Sequence, residues 1–352
     1  MQPKALFTDM ITCVSPGKLI LSGEHSVVYG APACALAVNK TIKGDYQKHT
    51  DDFATIHNAD LNINASLKLS EIFSLHKILL KRYEEFTQNK IAINQVLTSP
   101  IELCWFAIAQ AFVGAGLVPA QLERATARDC PYKGFNIVLF SEIPLGCGMG
   151  SSAALIVNLI SGVNALFDLK LSQEKIFELS LMAENLQHGY SSGLDVKLSL
   201  FGGIHLFRKN QPLQPIQIPS LPFQYFNSGK PGSTTGECVA FVKQQNFPSS
   251  LWQEFEKTTL AFIDALQKQN NSELMNAIKK NHRLLCEIGV VPKHIQTIIE
   301  AIEEKGGAAK ICGAGSIRGD NAGMILMTNN VDWPGATALA EIHPAAFVAM
   351  HK

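Results

Sequence analysis

The sequence predicts a mixed fold of strands and helices, α/β or α+β, and three observations predict it. Short β-branched and aliphatic runs alternate with segments of helical periodicity, which argues against a pure bundle or sandwich. Apolar residues make up 47% of the chain and charged residues 17%, a balance that buries a core rather than leaving the chain unfolded. The length of 352 residues, at about 150 residues per domain, gives room for roughly two domains.

The elements follow in chain order. Residues 18–22, 40–46 and 135–140 read as strands. Residues 101–114 read as a buried helix whose apolar stripe is interrupted by Gln110. The apolar stretch from Leu103 to Val118 contains Gln110, Gly114 and Gly116 and falls short of the ~20 residues a membrane span needs. Two helices are expected over 151–167 and 173–187, the second stopped by Gly189. Residues 210–222 carry four prolines and favour an extended connector or edge strand, so the domain boundary is placed there. Beyond it, helices are expected over 251–267, over 272–288 with Ser272 as N-cap, and over 292–305 with Pro292 at the first turn. Strands over 308–311 and 323–327 flank a glycine-containing loop, and PAAFVAM near the end reads as a last strand.

Thirty basic residues balance thirty acidic ones, for a formal net charge of zero. A whole-protein attraction to nucleic acid or anionic membrane is therefore not expected, and any bound anion needs a local site. The eight cysteines include no Cys-x-x-Cys pair, so a locally built zinc site is not expected. The first ten residues lack the pattern of an export signal, and the expectation is a cytoplasmic protein with reduced thiols.

Four segments carry chemistry. In SEIPLGCGMGSSAA (141–154), a strand runs into Gly146, Gly148 and Gly150, and Ser151 and Ser152 open a helix. Alternate glycines allow close backbone approach to an anion, and a helix start offers unpaired N–H groups. The same pattern also suits a tight turn with a serine cap. KICGAGSIRG (310–319) is a second glycine loop, equally compatible with a plain hairpin between strands. AENLQHGYSSGLD (183–195) places Glu184 near a helix end, His188 one turn on and Asp195 after a turn. Two such carboxylates could converge on a cation, or serve as a solvated side chain and a cap. In VSPGKLILSGEHSVVY (14–29), Lys18 precedes an apolar run that Gly23, Glu24 and His25 interrupt. Together the segments offer what phosphoryl transfer requires: backbone amides for phosphates, a hydroxyl and carboxylate for Mg²⁺, and a lysine and an aspartate beside an attacking hydroxyl.

With these motifs in order (SPGKLILSGEHSVVYG at 15–30, PLGCGMGSSAA at 144–154 and KICGAGSIRG at 310–319) the chain resembles the GHMP kinases, the superfamily of galactokinase, homoserine kinase, mevalonate kinase and phosphomevalonate kinase. Its Gly-Glu-His and its Glu…His-Gly-x-x-Ser-Gly-x-Asp segment are most similar to the mevalonate kinase branch. The resemblance implies an α+β two-domain fold. An N-terminal ATP-binding α/β domain with a left-handed crossover would span 1–208, and a ferredoxin-like C-terminal domain 209–352. It implies transfer of the γ-phosphoryl of ATP, with Mg²⁺, to the primary hydroxyl of mevalonate. Asp195 and Lys18 match the catalytic residues, and Ser152 and Glu184 the Mg²⁺ ligands. Glu24, His25 and Ser192 match substrate-side positions. Pro144, Gly146, Cys147, Gly148, Met149, Gly150, Ser151 and Ser152, with Gly313 and Gly315, match the ATP-binding loops. Ser191 stands where the family usually has proline, and Ser316, Ile317 and Arg318 stand where many relatives have further glycines. Other acceptors within the superfamily, phosphomevalonate or a sugar, are the alternative, followed by a silent nucleotide-binding protein. A homodimer through an exposed apolar helix is left open.

Overall fold

The computed structural model describes residues 10–59, 63–117, 134–209 and 211–339, and the backbone of 347–351. Cys130, Val118, Asn210 and the start of the PAAFVAM segment lie outside the described residues.

The first half builds strands β1 (Met10–Ser22), β2 (Ala33–Lys48), β3 (Phe53–Asn58) and β4 (Ile63–Lys68), then helices α1 (Leu69–Thr87) and α2 (Pro100–Gly114). β5 (Phe135–Ser141) leads into α3 (Ser151–Phe167), α4 (Gln173–His188) and α5 (Leu194–Phe201), followed by β6 (Ile204–Phe207) and β7 (Gln214–Pro215). The second half comprises β8 (Phe223–Asn227), α6 (Thr235–Gln244), α7 (Ser249–Gln267), α8 (Asn271–Glu287), α9 (Lys293–Glu304), β9 (Ala309–Ile311), β10 (Met324–Thr328), β11 (Thr337–Ala338) and β12 (Phe347–His351).

Two sheets result. The larger has eight strands in the order β12-β1-β2-β5-β3-β4, with β6 against β2 and β7 against β6. Its pairings are antiparallel except β3 with β5. The smaller is antiparallel in the order β11-β8-β10-β9. The proline-rich stretch supplies β7 as a two-residue edge strand, as expected where prolines remove ladder donors. The last strand returns to pair with β1, so the C-terminal segment completes the sheet of the N-terminal half.

Helix α3 matters most for the site because the glycine loop opens it. It is buried from Ala153 to Val163, which an isolated polar residue would disrupt unless satisfied. The large polar residue there, Asn158, is satisfied: its Nδ2 donates to the carbonyls of Cys13 (2.9 Å) and Ile42 (3.0 Å), and its Oδ1 accepts from Tyr46 Oη (2.7 Å). The Tyr46 ring fills the space a Cβ at Gly162 would need, 2.1 Å from its Cζ. α3 is thereby locked in register against β1 and β2. Gln110, the interruption in the α2 stripe, is buried with His76 as its partner.

One helix start differs from expectation. α8 is capped by Asn270, whose side chain accepts from Glu273 N–H, and Ser272 lies inside the first turn. The described cysteines are all free thiols. No described helix is long and apolar enough to cross a membrane.

Candidate active site

The glycine loop docks on β1 by close backbone approach. Lys18 N–H donates to the Met149 carbonyl at 2.9 Å, and a Cβ at Gly17 would sit 2.8 Å from that same oxygen. Gly146, Gly148 and Gly150 all have left-handed φ (69°, 82° and 67°), a region that favours glycine. Gly150 is the N-cap of α3, and no side chain caps that end, so the serine-cap alternative is not realised. The first-turn N–H groups are left to another acceptor. Around the loop, Cys147 and Met149 are buried, Gly146 is exposed, and Pro144, Gly148, Ser151 and Ser152 are half-buried.

Two polar groups meet at the mouth of this loop. Lys18 Nζ lies 3.3 Å from Asp195 Oδ1; the lysine side chain is 5% exposed and the aspartate 30%. A Cβ on Gly150 would come within 3.1 Å of Lys18 Cγ and 3.3 Å of Asp195 Oδ2, so the pair lies directly against the loop. Beside it, Ser152 Oγ donates to Glu184 Oε1 (3.1 Å), and His188 Nε2 lies 3.4 Å from both atoms. Burial pushes the Glu184 carboxyl up to about 8, reinforced by the Asp195 charge and offset by Ser152 and Lys18. Burial lowers the His188 pKa, with Asp195 raising it and Lys18 lowering it further. These mutual effects place Lys18, Ser152, Glu184, His188 and Asp195 in one electrostatic neighbourhood.

Glu184 Oε2 is buried without a partner. An unsatisfied buried carboxylate oxygen is costly unless a cation or donor reaches it. Groups of three or more His, Cys, Asp or Glu able to hold a metal ion do not occur among the described residues. The Ser152–Glu184 pair fits an ion that takes few protein oxygens and keeps others from water and phosphate, as Mg²⁺ does.

The third motif lies against the second. A Cβ at Gly148 would be 3.1 Å from the Cys312 carbonyl, and one at Gly313 3.6 Å from Gly148 Cα. At Gly315 a Cβ would strike the Val290 carbonyl at 2.2 Å, so this glycine also permits packing against the chain's own backbone. The motif also forms the β9–β10 hairpin. Ser316 N–H donates to that same Val290 carbonyl, and Arg318 is ion-paired with Glu237.

The substrate-side expectations fare unevenly. Glu24 has no exposed side-chain surface and is ion-paired with Lys310, equally sealed. Its Oε1 therefore faces a protein partner, while Oε2 is buried without one. Burial raises its pKa, offset chiefly by Lys310. His25 is buried with its Nε2 3.0 Å from the Ala314 carbonyl, at an uncommon φ of 56°. Ser192 is exposed, and its Oγ accepts from Leu194 N–H at the start of α5. Sequence reasoning named Lys310 only as part of a glycine motif; its signal was a lysine among apolar strand residues, where a charge is buried only if paired.

Two family models match, GHMP kinases N terminal domain over residues 117–203 and GHMP kinases C terminal over 262–317. The chain belongs to the GHMP kinases, and it is a phosphotransferase that uses ATP. Within that family it is similar to mevalonate kinases. The one from Pyrococcus abyssi is 30% identical over 321 residues, covering 87% of this chain and 86% of the relative. The one from Thermococcus gammatolerans is 31% identical over 312 residues, covering 86% and 85%. The crystal structure of the Methanococcus jannaschii mevalonate kinase superposes with a TM-score of 0.73 at 25% identity, covering 92% of each chain.

Proposed function

We propose that this chain transfers the γ-phosphoryl group of ATP to the primary hydroxyl of mevalonate. The acceptor oxygen bonds to the γ-phosphorus, the bond from that phosphorus to the β–γ bridging oxygen breaks, and ADP leaves. The hydroxyl proton passes to Asp195, late in a loose transition state that demands little early proton removal. Lys18 holds Asp195 in place and sets positive charge beside the reacting oxygens. The amides at the loop and at the start of α3 hold phosphate oxygens. Ser152 and Glu184 would hold Mg²⁺, which when bound neutralises charge on the phosphates.

The observation that supports this reading best is the Lys18–Asp195 pair seated against Gly150, with the buried Ser152–Glu184 pair beside it. The similarity to mevalonate kinases supports the choice of acceptor. We also infer units over 1–208 and 209–352 with β12 crossing back, and a cytoplasmic site of action, in keeping with the free thiols.

An acceptor panel tests the reading. With ATP and Mg²⁺ supplied, ADP release should be fastest with mevalonate. Faster turnover with phosphomevalonate, galactose or homoserine would reassign the acceptor, and no turnover with any of them would reject a kinase.

A further inference from the structure

The cations around the glycine loops are nearly all committed to acids. Lys18 pairs with Asp195, Lys310 with Glu24, and Arg318 with Glu237. Lys230 is the exception: no ion pair or hydrogen bond engages its ammonium among the described residues. It is exposed, yet its chain is laid along the glycine loop, since a Cβ at Gly146 would lie 3.7 Å from Lys230 Cε. Its charge is felt within the loop: burial raises the Cys147 thiol pKa, and Lys230, after Asn227, draws it partly back.

Its position is fixed from both sides. Lys230 follows β8, in the smaller sheet, and the residues before it are stapled to Gly323, just ahead of β10. Ser228 N–H donates to the Gly323 carbonyl (2.9 Å), Gly323 N–H to the Gly229 carbonyl (3.1 Å), and Met324 N–H to the Cys147 carbonyl (3.3 Å). A Cβ at Gly229 would meet the Asn321 side chain at 2.5 Å. These contacts hold an uncommitted ammonium beside the exposed Gly146.

We propose that Lys230 binds a phosphate oxygen of the nucleotide, adding a point charge from the smaller sheet to the amide-lined loop of the larger one. Backbone amides supply partial charges only, whereas a polyphosphate carries several full negative charges, and a lysine is the ordinary way to match them. Bound nucleotide then touches both sheets. This inference rests on the ATP-dependent reading given above. The same ammonium could instead meet the acceptor's carboxylate, and the test separates these two anions.

The test compares wild type, K230M and K230R by calorimetric titration with ATP, ADP and adenosine, together with the KM for mevalonate. K230M should bind ATP and ADP roughly tenfold more weakly, the scale of one hydrogen bond to a charged group. Adenosine affinity and the KM for mevalonate should stay unchanged, and K230R should recover most of the loss. Unchanged ATP and ADP affinity in K230M overturns the proposal, as does an equal loss for adenosine or a rise confined to the mevalonate KM. Wild type that binds no ATP would overturn the kinase reading as well.

Discussion

Two lysine–carboxylate pairs sit close to the glycine loops, and they are built differently. Lys18–Asp195 is open on one side: the aspartate keeps 30% of its side-chain surface and lies against Gly150. Lys310–Glu24 is closed on all sides, with neither side chain exposed, and it joins β9 of the smaller sheet to the turn after β1. An open pair can exchange its partner for a ligand. A closed pair cannot do so without a conformational change, and its charges depend wholly on one another. The proposed chemistry is accordingly assigned to the open pair, while the closed one ties β9 to the turn after β1.

Three measurements sharpen or break this contrast. The largest effect is expected on turnover. Asp195→Asn should lower kcat about a thousandfold, the range for removing a group that accepts a proton in the transition state, with ATP affinity by titration nearly unchanged. Retained turnover would remove Asp195 from the reaction.

The next effect is on stability. Lys310→Met leaves the Glu24 carboxyl buried without its counter-ion, and should destabilise by about 3–5 kcal/mol in urea denaturation, while the double variant Lys310→Met with Glu24→Leu should recover most of that loss. Lys18→Met leaves Asp195 in contact with water and should cost less than half as much. Equal losses for the two lysines would erase the distinction.

The smallest effect concerns His282, buried beside Lys310. Burial, then Lys310 and Arg283, lower its pKa from 6.5 to about 4. Between those values the unfolded chain takes up a proton that the folded chain refuses, so stability falls as pH drops from about 6.5 to 4. The loss attributable to this residue is at most about 3 kcal/mol. Denaturation at stepped pH should show a flatter profile for His282→Gln, and an unchanged slope would mean that burial and its charged neighbours do not hold His282 neutral in the folded chain.

Much of this arrangement is legible in the sequence. The loop at 144–150 announces itself because three glycines interrupt a strand-to-helix passage whose flanks are strongly apolar. Helix α1 is not read from the sequence, although its buried residues Leu69, Ile72, Phe73, His76 and Leu79 recur at helical spacing, because the polar residues between them dilute the stripe. The N-cap of α8 was misplaced because Asn270, Asn271 and Ser272 are all competent caps, and only tertiary packing selects among them. Partners were the hardest part. Nothing local to Glu24 points to Lys310, and nothing near Gly315 points to the Val290 carbonyl, because both contacts join strands and helices far apart in sequence. Periodicity reports which way a residue faces, not what it faces.

The pairing of β12 with β1 sets an order of events during biosynthesis. The strand that carries Lys18 is synthesised long before β12, one of the strands that pair with it. Until then β1 has an open hydrogen-bonding edge, available to any nascent chain nearby, and a premature stop before residue 347 would leave that edge permanently bare.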